Sequence, residues 1–358
     1  MPGRDADPFD SIRWTPARPV VTVVGCHAGG EIGNVVVGGV APPPGETVFE
    51  QMEHFRADDS LRHLLLREPR GSVAVHANVV LPSKRPDCAF GYVIMEPTEY
   101  PAMSGSNTIC VVTVLLETGM VEIREPITTF RLEAPGGPID ITAGCRAGKA
   151  EWVELENVPC FATSLDAPLE VEGIGTLTVD VAFGGMWYAI ADARALGFTL
   201  EPSEARDLSR VGELIRMAAR EQLDAVHPEN PAIAGVSIVQ IAEEWRGIGA
   251  VTKNAVIVPP GRLDRSATGT GLSARIATLH ARGLMGVGDA MSHASVIDST
   301  FEGRIVREVD LAGRRAVVPA IRGSAWITGV SRILVDPTDP FPEGYLLSDT
   351  WPGDDLQR

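Results

Sequence analysis

The sequence predicts an α+β fold in which strands predominate and two similar halves are present. Short runs rich in β-branched residues recur along the chain between Gly and Pro residues, which is typical of strands. Only a few stretches have the apolar spacing of a helix. In addition, two segments that begin near positions 104 and 268 share one pattern, close to half of the 358 residues apart. Together these observations favour a duplicated, strand-rich protein.

The composition limits the class of protein further. The chain is long enough for two ordinary domains, and its 44% hydrophobic and 22% charged residues are a usual globular mixture. A formal charge of −16 argues against a nucleic-acid partner or an anionic membrane partner. Neither a signal peptide nor an apolar run of membrane-spanning length is evident, so we expect a cytoplasmic protein. The five Cys are scattered without a CxxC pair, which predicts reduced and mostly buried thiols.

The first part of the chain is expected to alternate strands with helices. Residues 47–67 have helical spacing and stop before Pro69, as helices tend to do. A second helix follows the segment at position 104 and covers the apolar run 109–116. Strands are predicted at 20–24, 33–40, 72–81, 89–95 and, on both sides of a turn at 135–138, across 127–155.

The second part repeats this alternation. Residues 203–223 are predicted to form an amphipathic helix, and 272–282 form another after the segment at position 268. Residues 159–169 read as the loop between the two parts, and 1–18 and 350–358 as frayed ends. Strands are predicted at 176–183, 236–241, 255–258, 305–309, 316–321 and 331–335.

The two matching segments are the strongest internal signal. Ser104-Gly105-Ser106 and Thr268-Gly269-Thr270 each place Gly between hydroxyl residues at the start of a helix, where such residues are good N-caps. Each helix is expected to end at a Gly suited to the left-handed position after a helix, Gly119 in one case and Gly283 in the other. A single internal duplication would explain the match.

Helix N-termini of this kind are suited to binding an acid. Their first N–H groups are unpaired and carry partial positive charge, and Gly lets a ligand approach the backbone closely. Two such ends that face each other would form a cage for a carboxylate, with the hydroxyl residues on either side of the bound acid. This arrangement favours proton removal next to a carboxylate. The alternative is two ordinary capped helices with no further role.

At these residues the chain resembles a known family. Asp264-Arg265-Ser266-Ala267-Thr268-Gly269-Thr270-Gly271 is similar to the Asp-Arg-Ser-Pro-Cys-Gly-Thr-Gly signature of proline racemases, 4-hydroxyproline epimerases and trans-3-hydroxyproline dehydratases. Met103-Ser104-Gly105-Ser106 resembles the family's Met-Cys-Gly-His. Shorter segments that are similar to the family occur in the same order along the chain and extend the resemblance to roughly residues 20–335. They include 27–31, 68–71, 182–185, 301–303 and 325–329.

The resemblance implies a diaminopimelate-epimerase-like fold, in which each of two α/β halves wraps strands around a central helix. The first half would span 19–160 with a return at about 325–350, the second would span 165–322, and the active site would lie in the cleft between them. It also implies a homodimer and no cofactor. The backbone around Gly105-Ser106 and Gly269-Thr270 would hold the substrate carboxylate, and Asp264 would accept a hydrogen bond from the ring nitrogen.

The departures from the family pattern lie at the two positions that flank the α-carbon. Racemases and epimerases have Cys at both, whereas this chain has Ser104 and Thr268, and Ser106 replaces the family's His. The dehydratases have Thr at the second position. We therefore expect dehydration of trans-3-hydroxy-L-proline to Δ¹-pyrroline-2-carboxylate, with Ser104 as the base and Thr268 assisting departure of the hydroxyl. The alternatives are a 4-hydroxyproline epimerase or proline racemase, an enzyme for another amino acid, and a catalytically silent binding protein.

Several other residues have two interpretations at this stage. A base that assists Ser104 is needed because a free hydroxyl is a weak acid, and His27, His76 and His293 are candidates. Trp187 and Tyr188 could pack against a pyrrolidine ring, although core packing is the expected role. Neither metal-ligand spacing nor a phosphate-binding loop occurs in the sequence, so we expect no metal and no nucleotide. The family resemblance implies a small imino acid as the partner.

Overall fold

Two buried helices, one in each half of the chain, lie at the centre of strands that wrap around them. The computed structural model describes residues 20–231 and 233–351. Helix α3 (Gly105–Glu117) is buried from Gly105 to Leu116, and α5 (Gly269–Ala281) is buried along almost its whole length. A helix that is apolar on all sides is stable only inside a core, which explains why each is surrounded by strands.

The first half surrounds α3. Helices α1 (Val48–Ala57) and α2 (Ser60–Leu66) cover the outer side of strands β2 to β4, where Met52, Phe55 and Leu66 form a separate apolar cluster. The strands of this half are β1 (Val20–Ala28), β2 (Glu31–Gly38), β3 (Val75–Leu81), β4 (Phe90–Met95), β5 (Ile127–Ala134), β6 (Gly137–Arg146) and β7 (Lys149–Glu156).

The second half surrounds α5 and carries α4 (Ala205–Gln222) on its outer side. The last strand, β17 (Ala325–Leu334), returns to the first half and pairs antiparallel with β1. The other strands are β8 (Phe161–Val171), β9 (Gly175–Phe183), β10 (Trp187–Asp192), β11 (Ile238–Ala242), β12 (Val251–Val258), β13 (Arg262–Leu263), β14 (Ala290–Ala294), β15 (Thr300–Leu311) and β16 (Arg314–Gly323).

The two halves are joined by backbone pairing as well as by side chains. Strand β16 pairs antiparallel with β7, so that Ile321 lies opposite Leu155. One apolar cluster contains side chains of both central helices, for example Ile109 and Leu272. No structural observation tests the predicted limits of the halves, 19–160 with 325–350 and 165–322, so these limits stay a prediction.

Three predicted elements differ from the structure. The helix expected at 47–67 is two helices because Asp58 leaves the helical conformation and accepts a hydrogen bond from the Ser60 N–H. The loop expected at 159–169 is mostly strand β8, which accommodates its irregular residues as bulges, with Asp166 at a φ of +55°. The strand expected at 72–81 begins only at Val75.

The chain ends also need a correction. Residues 1–18 and 352–358 lie outside the described residues, but Thr350 and Trp351 are described and are packed against the molecule. Thr350 Oγ1 donates to Glu68 Oε1 at 2.9 Å, and Trp351 is buried. The predicted frayed end at 350–358 is therefore wrong for its first two residues. By contrast, Gly119 and Gly283 end their helices at φ values of +76° and +73°, as predicted.

Candidate active site

The two central helices meet at their N-terminal ends. A methyl group added at Gly105 would lie 3.1 Å from the Cα of Gly269, and one added at Gly269 would lie 3.1 Å from the Cα of Gly105. Glycine permits this approach without strain, whereas a larger residue would have to push the two backbones apart by a few tenths of an ångström. The positive ends of two helix dipoles, with their unpaired first N–H groups, therefore converge on one point.

The hydroxyl residues stand at the N-cap positions but do not cap their helices. Neither Ser104 nor Thr268 makes the side-chain capping bond. Instead, Ser104 Oγ accepts a hydrogen bond from Asn107 Nδ2 at 2.9 Å, and Thr268 Oγ1 donates to Asp264 Oδ2 at 2.9 Å. Both hydroxyls are thus available for chemistry at the price of the usual cap, which is worth about 1 kcal/mol in an ordinary helix.

Thr268 also has an unusual backbone conformation. Its φ is +56° and its ψ is 110°, a region that a β-branched residue rarely occupies. The surrounding contacts maintain this conformation, because the Thr268 N–H donates to Ser266 Oγ at 3.1 Å and the Thr268 carbonyl accepts from the Leu272 N–H at 2.9 Å. Strained backbone of this kind is common where a side chain must be aimed at a reacting group.

A small cavity lies between the two helix ends and is lined by all seven residues predicted from the sequence. Its volume is about 30 Å³, enough for a water molecule. The lining includes the predicted residues Ser104, Gly105, Ser106, Asp264, Thr268, Gly269 and Thr270.

Asp264 is the charged centre of the second-half side of the cavity. Its Oδ1 accepts the Ser266 N–H at 2.7 Å while its Oδ2 accepts the Thr268 hydroxyl. Burial, together with the nearby charge of Glu31, raises the pKa of Asp264 to about 7, although the Arg262 guanidinium opposes the shift. A carboxyl with such a pKa both gives up and accepts protons near neutral pH.

Ser104 is oriented by a buried polar network. Asn107 Nδ2 lies 3.1 Å from His76 Nδ1, and His76 Nε2 lies 2.6 Å from the Arg262 guanidinium. Arg262 forms an ion pair of 2.7 Å with Glu31, and both side chains are buried. The network therefore runs from Ser104 across the cleft into the second half.

The state of charge in this network follows from its contacts. Burial and the charge of Arg262 lower the pKa of His76 to about 3, so the ring is neutral at physiological pH. Although burial opposes it, the attraction of Arg262 and His76 lowers the pKa of Glu31 to about 2, so this carboxyl is ionised. His76 thus contacts Asn107 rather than Ser104 and is a poor proton acceptor for the Ser104 hydroxyl.

Two further carboxyl groups line the cavity from the loop after β4. Burial and the neighbouring Glu99 raise the pKa of Glu96 well above its ordinary value. The pKa of Glu99 is raised by burial, against the attraction of Arg216 and Arg56. Together with Asp264, these groups give the cavity carboxyl oxygens that can accept hydrogen bonds from a ligand.

The second helix end is supported by two residues from the turn between β9 and β10 and from β10. Tyr188 lines the cavity, and its hydroxyl lies 2.7 Å from Thr270 Oγ1. A methyl group at Gly184 would lie 2.1 Å from the Thr270 carbonyl oxygen, so only glycine fits there. Trp187, in contrast, packs in the core against Phe161 and Phe183, as expected.

Of the three candidate histidines, only His76 lines the cavity. His27 stacks on Trp326 at 5.4 Å and lines a different surface cavity. His293 is buried beside Gln240. All five cysteines are buried and free, including Cys110 inside α3, which confirms the expectation of buried thiols.

The sequence analysis missed the polar residues that support the site. Asn107 directly follows the motif Ser104-Gly105-Ser106, and Glu31 is the last residue of the family-like segment 27–31. Both residues were therefore close to a recognised sequence pattern. Arg262 precedes the eight-residue signature by two positions. Glu96 and Glu99 had no such signal, since an isolated Glu in a loop is normally solvated.

The described residues contain neither an evident metal-binding group nor an evident membrane-spanning helix. Within residues 20–231 and 233–351, no group of three or more His, Cys, Asp or Glu is arranged to hold a metal ion. In the same part of the chain, no helix is both long and apolar enough to cross a membrane. The cytoplasmic location and the homodimer stay predictions.

Comparison with solved structures defines the class of protein. The chain has 38% identity and a TM-score of 0.88 to a hydroxyproline epimerase from Agrobacterium vitis with bound trans-4-hydroxy-L-proline, over 97% of this chain and 100% of that one. A probable proline racemase from Agrobacterium radiobacter K84 with bound carbonate gives 38% identity and a TM-score of 0.86, over 92% and 98%. A PhzF-family phenazine biosynthesis protein from Bacillus anthracis shares the fold at 12% identity and a TM-score of 0.56, over 88% and 99%.

The two-half architecture is therefore that of the diaminopimelate-epimerase-like α/β proteins, which confirms the predicted fold. The proline racemase family model matches residues 23–346. The chain belongs to the proline racemase family and is an enzyme of that family.

Proposed function

We propose that this enzyme inverts the α-carbon of a hydroxyproline, as a hydroxyproline 2-epimerase. The observation that carries the proposal is the placement of Ser104 and Thr268, which come from opposite halves and line one cavity where two helix N-termini meet. Inversion needs a proton-transfer group on each face of the α-carbon, and this cavity has one hydroxyl at each helix start. The similarity to a structure of a hydroxyproline epimerase supports the same reaction type.

The substrate carboxylate would lie against the first N–H groups of α3 and α5, around Gly105-Ser106 and Gly269-Thr270. The two helix dipoles favour an anion there, and more strongly when the α-carbon loses its proton and charge moves onto the carboxylate. Asp264 lines the same cavity and would accept a hydrogen bond from the ring nitrogen.

The two hydroxyls are prepared for different roles. Thr268 donates its proton to Asp264, whose pKa of about 7 lets it act as the base behind the hydroxyl. Ser104 accepts from Asn107, which leaves its own O–H to be donated into the cavity. In one direction, the Thr268 oxygen would take the α-proton while its own proton passes to Asp264, and Ser104 would give its proton to the opposite face of the α-carbon. Asp264 would then release its proton to solvent and the Ser104 oxygen would take one up from solvent, which restores the starting enzyme; the reverse direction exchanges these roles. This proposed assignment differs from the sequence-based one, in which Ser104 is the base.

Dehydration of trans-3-hydroxy-L-proline is the second candidate, and one observation favours it. Among the groups that line the cavity, Asp264 is the carboxyl bonded directly to a flanking hydroxyl, so the stronger base stands on one face. Elimination needs one base to remove the α-proton and a donor that assists departure of the 3-hydroxyl. Water would leave, and the enamine would tautomerise to Δ¹-pyrroline-2-carboxylate.

Proton NMR in D₂O separates these reactions. The purified enzyme is incubated with trans-4-hydroxy-L-proline and, separately, with trans-3-hydroxy-L-proline. Deuterium at the α-carbon of the first, with appearance of its epimer, supports epimerisation. Loss of the second to a pyrroline, with the first unchanged, would replace the proposal by the dehydratase, and thermal stabilisation without turnover of either would indicate a silent binding protein.

Matched variants test the two hydroxyls. Ser104→Ala and Thr268→Val remove one hydroxyl each with little change of shape, and each is expected to lower α-proton exchange about 10²–10⁴-fold. Full exchange in either variant would contradict the assignment of that residue.

A further inference from the structure

Two glutamates that line the catalytic cavity take no part in the proposed proton transfers. Glu96 and Glu99 lie in the loop after β4, where the Glu96 N–H donates to the Glu99 carbonyl at 2.9 Å. Glu96 lies on the Ser104 side of the cavity, because Asn107 Nδ2 is 2.9 Å from Ser104 Oγ and 3.3 Å from Glu96 Oε1. The closed turn keeps the two glutamates together at this cavity.

Most oxygens of these two carboxyl groups are available to a ligand. Glu96 Oε1 accepts a hydrogen bond from Asn107, but no residue in the described part of the chain donates one to Glu96 Oε2 or to either carboxyl oxygen of Glu99. Both oxygens of Asp264, by contrast, already accept hydrogen bonds inside the protein. The glutamates thus supply unused acceptor positions in the cavity lining.

The charges around Glu96 favour its protonated form. The negative groups around it are Glu99, Glu31 and Asp264. The Arg262 guanidinium acts against them, and His76, 3.6 Å from Glu96 Oε1, is neutral. Burial is the largest cause and the charge of Glu99 the second, and together they raise the pKa of Glu96 well above its ordinary value. We therefore expect Glu96 to keep its proton at neutral pH.

Glu99 has surroundings that are more favourable for a negative charge. Burial raises its pKa, but the guanidinium groups of Arg216 and Arg56 attract its ionised form. Each of these arginines also pairs with a glutamate of its own helix, so their attraction offsets burial only in part. Of the two neighbouring glutamates, Glu96 is therefore expected to hold the proton and Glu99 the negative charge.

A ring hydroxyl fits this combination of donor and acceptor. A hydroxyl donates one hydrogen bond and accepts others, so it can accept from a protonated Glu96 and donate to an ionised Glu99. The cavity lining also includes Met186, Ile238 and Val258, which give apolar contact to ring carbons.

We propose that Glu96 and Glu99 bind the 4-hydroxyl of the substrate ring and so select hydroxyproline over proline. This inference rests on the proposed function, since it takes the same placement of the substrate carboxylate at the helix ends. Proline would leave the two carboxyl groups facing a methylene group. A site built to hydrogen-bond a substrate hydroxyl rejects an analogue that lacks it.

Calorimetric titration tests this selection without turnover. The full-length Thr268→Val and Ser104→Ala variants are each titrated with trans-4-hydroxy-L-proline and, separately, with L-proline. At least tenfold tighter binding of trans-4-hydroxy-L-proline is expected, since a hydrogen bond to a charged group contributes at least about that factor. Equal affinity for the two ligands, or binding of neither by both variants, would overturn the proposal.

Substitutions of the glutamates in the Thr268→Val background separate hydrogen bonding from shape. Glu99→Met removes both carboxyl oxygens at similar side-chain length, and it is expected to lower the preference for trans-4-hydroxy-L-proline at least tenfold while the affinity for L-proline is retained. Glu96→Met should act in the same direction. Glu99→Gln keeps an acceptor oxygen and should keep most of the preference.

The control is Glu122→Gln, because Glu122 is an exposed glutamate in the loop before β5. An unchanged preference in either methionine variant would overturn the proposal. An equal loss of affinity for both ligands would also overturn it, because a merely structural role of the glutamates would weaken both alike.

Exchange of the α-proton in D₂O separates this inference from the proposed epimerase activity. The wild-type kcat/KM for trans-4-hydroxy-L-proline is expected to be at least tenfold above that for L-proline. Exchange of both at equal kcat/KM would support the isomerase and overturn the hydroxyl selection. Exchange of neither, with the binding preference and its dependence on Glu99 intact, would overturn the epimerase and support the hydroxyl selection.

Discussion

At the scale of single residues, the Thr268–Asp264 pair is one of the two proton-transfer groups in the proposed reaction. A threonine hydroxyl is a poor base by itself, and here it is bonded at 2.9 Å to a carboxyl whose pKa is about 7. The buried position of Asp264 and the charge of Glu31 cause this shift. The pair can therefore take up and return a proton near neutral pH without a thiol.

The pH dependence of kcat/KM should reveal this carboxyl. Below pH 7 Asp264 is protonated and cannot accept the proton of Thr268, so kcat/KM is expected to rise with pH and level off above about 7. Asp264→Asn should lower kcat/KM about 10²–10⁴-fold and abolish this limb. The control is Asp140→Asn, which removes an exposed carboxylate paired with Arg131. If kcat/KM of Asp264→Asn still rose with pH up to about 7, the titrating group would have to be a residue other than Asp264.

Glu31 tests the electrostatic cause of the shift. Burial is the largest cause of the raised pKa of Asp264, and the negative charge of Glu31 is the second. The Arg262 guanidinium acts in the opposite direction and lowers this pKa. Glu31→Gln removes the raising charge and leaves Arg262 in place, so the acidic limb of the pH profile is expected to move to lower pH. A limb that stays at the same pH would show that Glu31 does not act on Asp264.

The site residues differ in how far the sequence could predict them. Ser104, Thr268 and their neighbours lie in contiguous motifs, so local pattern was sufficient. Asn107 and His76 are 31 residues apart, His76 and Arg262 are 186 apart, and the contact of Glu31 with the Arg265 N–H spans 234. Such contacts depend on how the two halves meet, which no local pattern encodes.

At the scale of elements, the contact between the starts of α3 and α5 positions the site. Gly105 and Gly269 let the two backbones touch, and Gly184 lets the chain before β10 pass under the start of α5. The ends of these two helices were predictable from the hydroxyl residues at their starts and from the glycines, Gly119 and Gly283, that follow their last turns. The break at Asp58 and the bulged strand β8 were not predicted. The first depends on a local hydrogen bond from the Ser60 N–H that interrupts a helical pattern, and the second depends on the pairing of β8 with β9.

Gly105→Ala tests the helix contact. The added methyl group would lie 3.1 Å from the Gly269 Cα and must push the helix ends apart by a few tenths of an ångström. Because alanine has the higher helix propensity, helix stability alone would predict a gain. We expect a loss of at least tenfold in kcat/KM, since displaced reacting groups slow catalysis steeply.

The matched control is Gly329→Ala, because a methyl group there has no neighbour within 4 Å. Its activity and melting temperature should be close to those of the wild type. Wild-type kcat/KM in Gly105→Ala would show that the close approach of the helices is not needed for catalysis.

At the scale of the whole molecule, a buried ion pair connects the two halves. Glu31 belongs to β2 and Arg262 to β13, and both are almost fully buried. The duplication seen in the sequence predicted two similar halves, and the family resemblance implied a central helix in each half; the structure has both features. The charges that link the halves were not predictable, since sequence analysis expects charged residues at the surface.

Arg262→Leu should destabilise the whole fold. It leaves Glu31 buried without its partner, for which a loss of about 3–5 kcal/mol in the free energy of unfolding is expected. The double variant Glu31→Leu/Arg262→Leu removes both charges and should lose less than the sum of the single variants. Denaturant unfolding at neutral pH measures all three, and strict additivity would show that the two charges do not interact.

The left-handed backbone at position 268 has an evolutionary consequence. A β-branched residue is the least suited to a φ of +56°, so an unbranched Ser or Cys would meet less steric resistance at the same place. The backbone conformation therefore does not itself favour threonine over these smaller residues. Under the proposed reaction, we expect that position 268 can exchange an alcohol for a thiol without altering the glycine contact between the two helix starts, which would let a lineage pass between related reactions on one fold.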